Sequence, residues 1–189
     1  FTAPSDIDGP DDIFGTIDDG LQVEKTSPVK DAGNNAYANT LIEKDLASRI
    51  RLYYANVDVG AYELICDDQP QSLYFSLDPS GLPTATSWQN AIPNLTETLH
   101  NFVTEGCIID SIKLDEGIYA VSLIGDRHDY ISLPSGSTLI GGFNVVNSIE
   151  TGWDPELYSS VISGELGSAG PSDNAYRLIS FEDYQDTTR

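Results

Sequence analysis

Apolar residues in this chain form one stretch with a helical period and a series of shorter stretches with a strand-like one. Between Pro93 and Gly106, Leu95, Leu99, Phe102 and Val103 recur at the i, i+4, i+7, i+8 spacing that places them on one helical face. Pro93 suits a first helical position and Gly106 a stop, so the pattern predicts one amphipathic helix between them. Downstream, segments 108–114, 118–124, 130–133, 138–143, 161–166 and 176–181 are short and β-rich, and clusters of Gly, Pro, Asp or Asn separate them. Segment 73–77 precedes the helix as a further strand candidate, closed by the turn Asp78-Pro79-Ser80-Gly81. One helix followed by strands without αβ alternation argues against a doubly wound fold and leaves a sandwich or a solenoid.

Upstream of residue 66 the pattern is thinner. A short strand is expected at 21–23, a loop or short helix at 34–48 around Leu41, Ile42 and Leu46, and a strand at 49–54. In Asp58-Val59-Gly60-Ala61-Tyr62-Glu63, Val57 and Val59 flank Asp58 at the two-residue period of a half-buried strand. Gly60 then allows a turn that a Cβ would block, and Tyr62 can cover an apolar edge with its hydroxyl in water. Cys66-Asp67-Asp68-Gln69-Pro70-Gln71 loses the apolar period and contains Pro. The expected organisation is a first module over 1–65, a linker over 66–72 and a second module over 73–189.

Composition narrows the partners. The 189 residues, 40% of them hydrophobic, suffice for one domain or two small ones. Thirty acidic against nine basic residues give a net charge of -21, which disfavours nucleic acid and anionic membranes and favours cations. No apolar run approaches the roughly 20 residues that span a bilayer. The chain holds no Met and begins at Phe1, as expected of a processed protein or a portion of a longer one. Cys66 and Cys107 are either two buried thiols or a disulfide suited to an oxidising compartment, worth ~4 kcal/mol if formed.

The first twenty residues carry the densest chemistry. Six carboxylates stand among glycines between Asp6 and Asp19, and charges so close repel unless a cation lies between them. Ca²⁺ takes six to eight oxygens, and an Asp-x-Asp-Gly turn brings two carboxylates and a carbonyl to one point. Asp6, Asp8, Asp11 or Asp12, and Asp18 or Asp19 are therefore candidate Ca²⁺ ligands, although the spacing is not that of an EF-hand. The competing reading is an acidic turn whose side chains cap their own backbone. No catalytic constellation emerges: His100 and His128 read as surface residues, with no third His and no Cys at ligand spacing. Asn94-Leu95-Thr96 fits a glycosylation sequon but falls inside the expected helix.

Two sets of blocks carry a family resemblance. Ser27-Pro28-Val29-Lys30-Asp31-Ala32-Gly33-Asn34-Asn35, Asp45-Leu46-Ala47-Ser48-Arg49-Ile50 and the Val57–Glu63 stretch resemble, in order, the closing segment of bacterial surface proteins built on right-handed parallel β-helices. The acidic Gly15-Thr16-Ile17-Asp18-Asp19-Gly20 resembles the stretch that often precedes that segment. Thr86–Ala91, the helix, Asp115–Tyr119, Leu139–Phe143, Thr151–Trp153, Ile162–Gly167 and Ser172–Tyr176 resemble the N-terminal cap and first coils of the same fold. The resemblance implies an all-β chain of parallel β-helix modules with one short capping helix, in which the tail of one solenoid precedes the head of another. It implies a secreted or cell-surface, non-enzymatic structural or adhesive protein, stabilised by Ca²⁺. Its partners would be copies of itself stacked head to tail, or neighbouring modules of a longer chain. A polysaccharide lyase or hydrolase, for which only Arg127 and Arg177 offer a basic group, and a glycan- or protein-binding module are the alternatives.

Overall fold

A computed structural model of the chain describes residues 1–16, 18–37, 44–49, 51, 56–66, 71–81, 84–167 and 170–182. The chain divides into two compact units, Phe1–Asp67 and Asp68–Arg189. Residues 38–43 of the expected loop and 50 and 52–54 of the expected strand lie outside the described residues. Cys66 and Cys107 are both disulfide-bonded, which resolves the two sequence alternatives.

The first unit has neither helix nor strand element among its described residues. Scattered backbone contacts hold it instead, such as Ala3 N–H to Gly20 O at 3.0 Å, Gly33 N–H to Val57 O at 2.7 Å and Leu46 N–H to Ala61 O at 3.0 Å. The strand expected around Val57 and Val59 is absent, and burial there does not alternate. Val57 and Asp58 are buried while Val59 is 49% exposed. Tyr62, expected to keep its hydroxyl wet, is buried and donates to the Asp19 carboxylate. Gly60 does take the expected turn, at φ 141°.

In the second unit the described elements are mostly sheet, with one helix and no closed barrel. Strands β1 (Gln71–Phe75), β2 (Ile109–Asp115), β3 (Gly117–Ala120), β4 (Ile131–Pro134), β5 (Thr138–Val146), β6 (Ile149–Trp153), β7 (Ser160–Ser163) and β8 (Ile179–Glu182) accompany helix α1 (Leu95–Thr104). One sheet has the order β1-β2-β5-β6, with β5 and β6 antiparallel and the other neighbours parallel. The two remaining sheets are the parallel pairs β3-β7 and β4-β8. Pairing thus follows sequence order: β2, β3 and β4 take β5, β7 and β8 as their partners.

Helix α1 forms where the apolar period predicts it, but its first helical residue is Leu95, two residues in from the expected Pro93. Asn94 is the cap, because its Oδ1 accepts the Glu97 N–H at 3.2 Å and satisfies a donor that would otherwise lack a partner. At the other end Gly106 takes φ 68°, and two bonds close the turn, Gly106 N–H to Val103 O and Cys107 N–H to Phe102 O. That left-handed cap needs a residue without Cβ strain. Leu95, Leu99 and Phe102 are buried, and α1 packs against β4.

Strand β6 was not expected. It folds back from β5 through Asn147 and Ser148, both left-handed at φ 50° and 62°, the backbone of a tight hairpin turn. Nearby, the Gly141-Gly142 pair answers a close approach. A Cβ on Gly141 would lie 2.7 Å from the Ser160 Cβ, and Gly142, at φ 89°, has Pro155 backbone within 2.8 Å of that position. Tyr74, Trp88, Phe143 and Trp153 form a chain of ring contacts, with centroids 5.0, 5.1 and 6.4 Å apart in turn. The Trp88 Nε1–H donates to Glu150 and that of Trp153 to the Gly141 carbonyl.

Candidate binding pocket

Two places gather polar side chains, one in each unit. In the first, four carboxylates are buried: Asp19, Asp45, Asp58 and Glu63. Each does the work of the missing secondary structure by accepting backbone N–H groups. The two oxygens of Asp58 accept Asp31 N–H at 2.6 Å and Leu64 N–H at 2.8 Å. Asp45 accepts Arg49 N–H, Arg49 Nε–H and Glu63 N–H, all at 2.8 Å. Arg49 also donates to Gln22 Oε1 at 2.5 Å. Glu63 accepts the Asp58 N–H and lies 3.7 Å from an Arg51 nitrogen. Burial, and after it the Asp58 charge, push the Glu63 carboxyl up to about 8.

The six aspartates expected to bind Ca²⁺ are placed differently from one another. Asp6, Asp11, Asp12 and Asp18 are exposed and Asp8 is half-buried. Asp19 is fully buried, and its carboxylate accepts from Gly15 N–H, the Thr16 hydroxyl and Tyr62. Asp11 accepts Ile13 N–H, and Asp18 accepts the Thr16 hydroxyl. Among the described residues no three His, Cys, Asp or Glu side chains converge to hold a metal ion. Of the six, Asp11, Asp18 and Asp19 accept hydrogen bonds from groups within the turn, and Asp19 also from Tyr62.

The second place is a cavity of about 410 Å³ in the second unit. One wall is the start of α1, where Asn94, Thr96, Glu97 and His100 line it. The Asn94 Nδ2–H donates to the Glu97 carboxylate at 2.7 Å, which fixes that acid at the mouth of the helix. The facing wall is the segment joining β3 to β4, with Val121, Ser122, Leu123, Ile124, His128, Asp129 and Tyr130.

That segment is braced locally. Ser122 Oγ accepts the Asp126 N–H at 3.0 Å, and Asp126 Oδ1 accepts the His128 N–H at 2.9 Å. The His128 N–H and ring together hold the Asp126 carboxyl below its ordinary range. Outside the pocket, Arg127 reaches the Asn174 carbonyl and stacks on Tyr176, whose ring meets His128 at 5.1 Å. Arg177 lies 3.5 Å from the centre of the Tyr130 ring.

The pocket's chemistry follows from its lining. Glu97 and Asp129 carry negative charge, and among the described residues no Lys or Arg lines it. Thr96 Oγ1 is buried and has no hydrogen-bond partner among the described residues. Leu123 and Ile124, 72% and 87% exposed, give an apolar ledge. His100 and His128, the chain's two histidines, are exposed, as expected of surface residues, and both line this pocket. Nothing in their spacing of 28 residues signals this, because it depends on α1 packing beside the strand into which the β3–β4 segment runs. No protein-family model, no curated protein and no solved structure matches the chain.

Proposed function

We propose that the second unit is the cap and first coils of a right-handed parallel β-helix, and that residues 1–65 are the closing segment of another. On this reading the chain is a non-enzymatic structural or adhesive piece of an extracellular protein. The observation that carries it is the ordered parallel pairing: β2, β3 and β4 recur one strand spacing on as β5, β7 and β8, in the same order along the chain. The β6 hairpin is then an insertion at one corner, and α1 with β1 covers the first coil.

Burial across the coils supports the assembly part of the proposal. Inward residues of the first coil are fully covered, as with Ile112, Tyr119 and Ile131. Their register partners Leu139, Ile162 and Ile179 are only half-buried, and Phe181, opposite the buried Leu133, is 79% exposed. A further coil, from a second copy or a neighbouring module, would cover that tier and pair the outer edges of β7 and β8. In the chain 1–189, sedimentation equilibrium is expected to show concentration-dependent association, which Ile179→Asp with Phe181→Asp abolishes. A chain that stays monomeric at high concentration would retire the head-to-tail part. Ca²⁺ enters only as a counter-ion for the acidic turn over residues 6–19.

A further inference from the structure

We propose, resting on the head-to-tail reading above, that the open end of the second unit takes the first unit of another copy through β7 and β8 alone. The covering side chains are Phe14 and Leu46 of that copy, and the β6 hairpin keeps β5 out of the joint. The three sheets do not end alike. In a parallel pair, alternate residues turn both main-chain groups toward the partner strand, and those between turn them away. Gly117 N–H meets Ser159 O and Val121 N–H meets Ser163 O, so Ile162 turns its N–H and C=O outward. Ile131 N–H meets Leu178 O, so Ile179 and Phe181 do the same on β8. No strand lies beyond β7 or β8 among the described residues.

The β5 edge is sealed from within the chain. Phe143–Val146 pair with β6, and the Gly141 and Gly142 carbonyls accept Trp153 Nε1–H and Asp154 N–H. A full further coil, with one strand for each sheet, would run into β6 over most of β5. A closing unit that brings no three-strand coil fits, and the first unit has no strand element among its described residues. It also offers a matching apolar face. Phe14 and Leu46 are each more than half exposed, and the Leu46 Cγ lies 3.7 Å from where a Cβ on Gly15 would stand, which sets Leu46 beside the Phe14–Gly15 backbone. Their carbon answers the half-buried Ile162 and Ile179 and the exposed Phe181. Phe14 N–H and C=O have no partner among the described residues and can pair with an outer edge. The joint unites two different faces, so copies add end to end and do not close into a dimer. Each copy carries a net charge of -21, so charge opposes the contact and salt strengthens it.

Two variants of the full chain, each spoiling one face, test this by sedimentation. Phe14→Ser with Leu46→Ser alters the first unit's face, and Ile179→Asp with Phe181→Asp alters the tier. Each should weaken self-association about tenfold or more, with an unchanged melting temperature to verify folding. An even mixture of the two should form a complex of two chains and grow no further, because only one intact pair of faces remains. A second readout needs no variant: in the native assembly, amide exchange should slow at Ile162, Ile179 and Phe181 and stay unchanged over Thr138–Val146. A native chain that remains monomeric at high concentration overturns the proposal together with the reading it rests on. Association that survives Phe14→Ser with Leu46→Ser, weakens as salt rises, or protects Thr138–Val146 overturns this proposal alone.

Discussion

The two units satisfy their backbones by opposite means. In the second, strand ladders pair most N–H and C=O groups and most covered residues are apolar, with Leu73, Phe75, Ile112 and Ile131 almost fully buried, while the buried Asp115 is its counterpart to the first unit's carboxylates and accepts the Glu116 and Val145 N–H groups. In the first, carboxylates take over that work: Asp45, Asp58 and Glu63 are as buried as a core leucine, and each accepts main-chain N–H groups. A ladder shares its strength over many equivalent bonds. A buried carboxylate concentrates several bonds on one side chain, so its loss is paid for all at once.

The strongest way to break the comparison is to remove one such side chain. Asp45→Ala takes away the acceptor of two N–H groups and the charge opposite the buried Arg49, and is expected to cost ~3–5 kcal/mol. Leu99→Ala in the second unit removes buried carbon from α1 and should cost ~2–5 kcal/mol through the cavity it leaves. Hydrogen exchange read unit by unit separates the two. The Asp45 variant should lose protection across the first unit, and the Leu99 variant across α1 and β4. Equal loss in both units from either change would mean that the two do not stabilise separately.

A smaller effect should appear with pH. The folded-state Glu63 carboxyl titrates at about 8 against an ordinary 4.5, so the fold holds its proton more tightly than the unfolded chain does. Its contribution is full below pH 4.5, declines as pH rises, and is spent once pH passes about 8. Urea midpoints of the native chain should therefore fall between those pH values relative to Glu63→Gln. Parallel curves would exclude Glu63 as the source.

The smallest effect should come from calcium. With the oxygens of Asp19, Asp11 and Asp18 engaged by the turn's own donors, excess Ca²⁺ should raise the melting temperature by only about 1–2 °C over a chelator. A rise of many degrees, removed by Asp6→Asn with Asp8→Asn, would instead mean an ion-binding arrangement of those residues.

The helix and most strands were legible because each depends on a local period. Leu95, Leu99 and Phe102 fix the buried face of α1 wherever its first turn begins, and only the cap at Asn94 turned on a side-chain bond that periodicity does not encode. Strand β6 escaped for the same reason in reverse. Most of Ile149-Glu150-Thr151-Gly152-Trp153 is exposed, so it carries no alternation, and Ser148 is an unusual residue for a left-handed turn. In the first unit, Val57-Asp58-Val59 has the right alternation for a strand and no strand forms. The Asp58 carboxylate goes inward to meet Asp31 and Leu64, a long-range need that no local pattern records. The pocket was equally hidden, its two walls being joined by packing and not by sequence distance.

The ring chain Tyr74–Trp88–Phe143–Trp153 has a practical consequence. Both tryptophans of the protein belong to the second unit, Trp88 buried among rings and Trp153 58% exposed. Emission excited at the red edge of indole absorption therefore reports the unfolding of that unit alone, while the first unit melts without an optical signal in that channel. Any denaturation curve recorded that way measures only one of the two units.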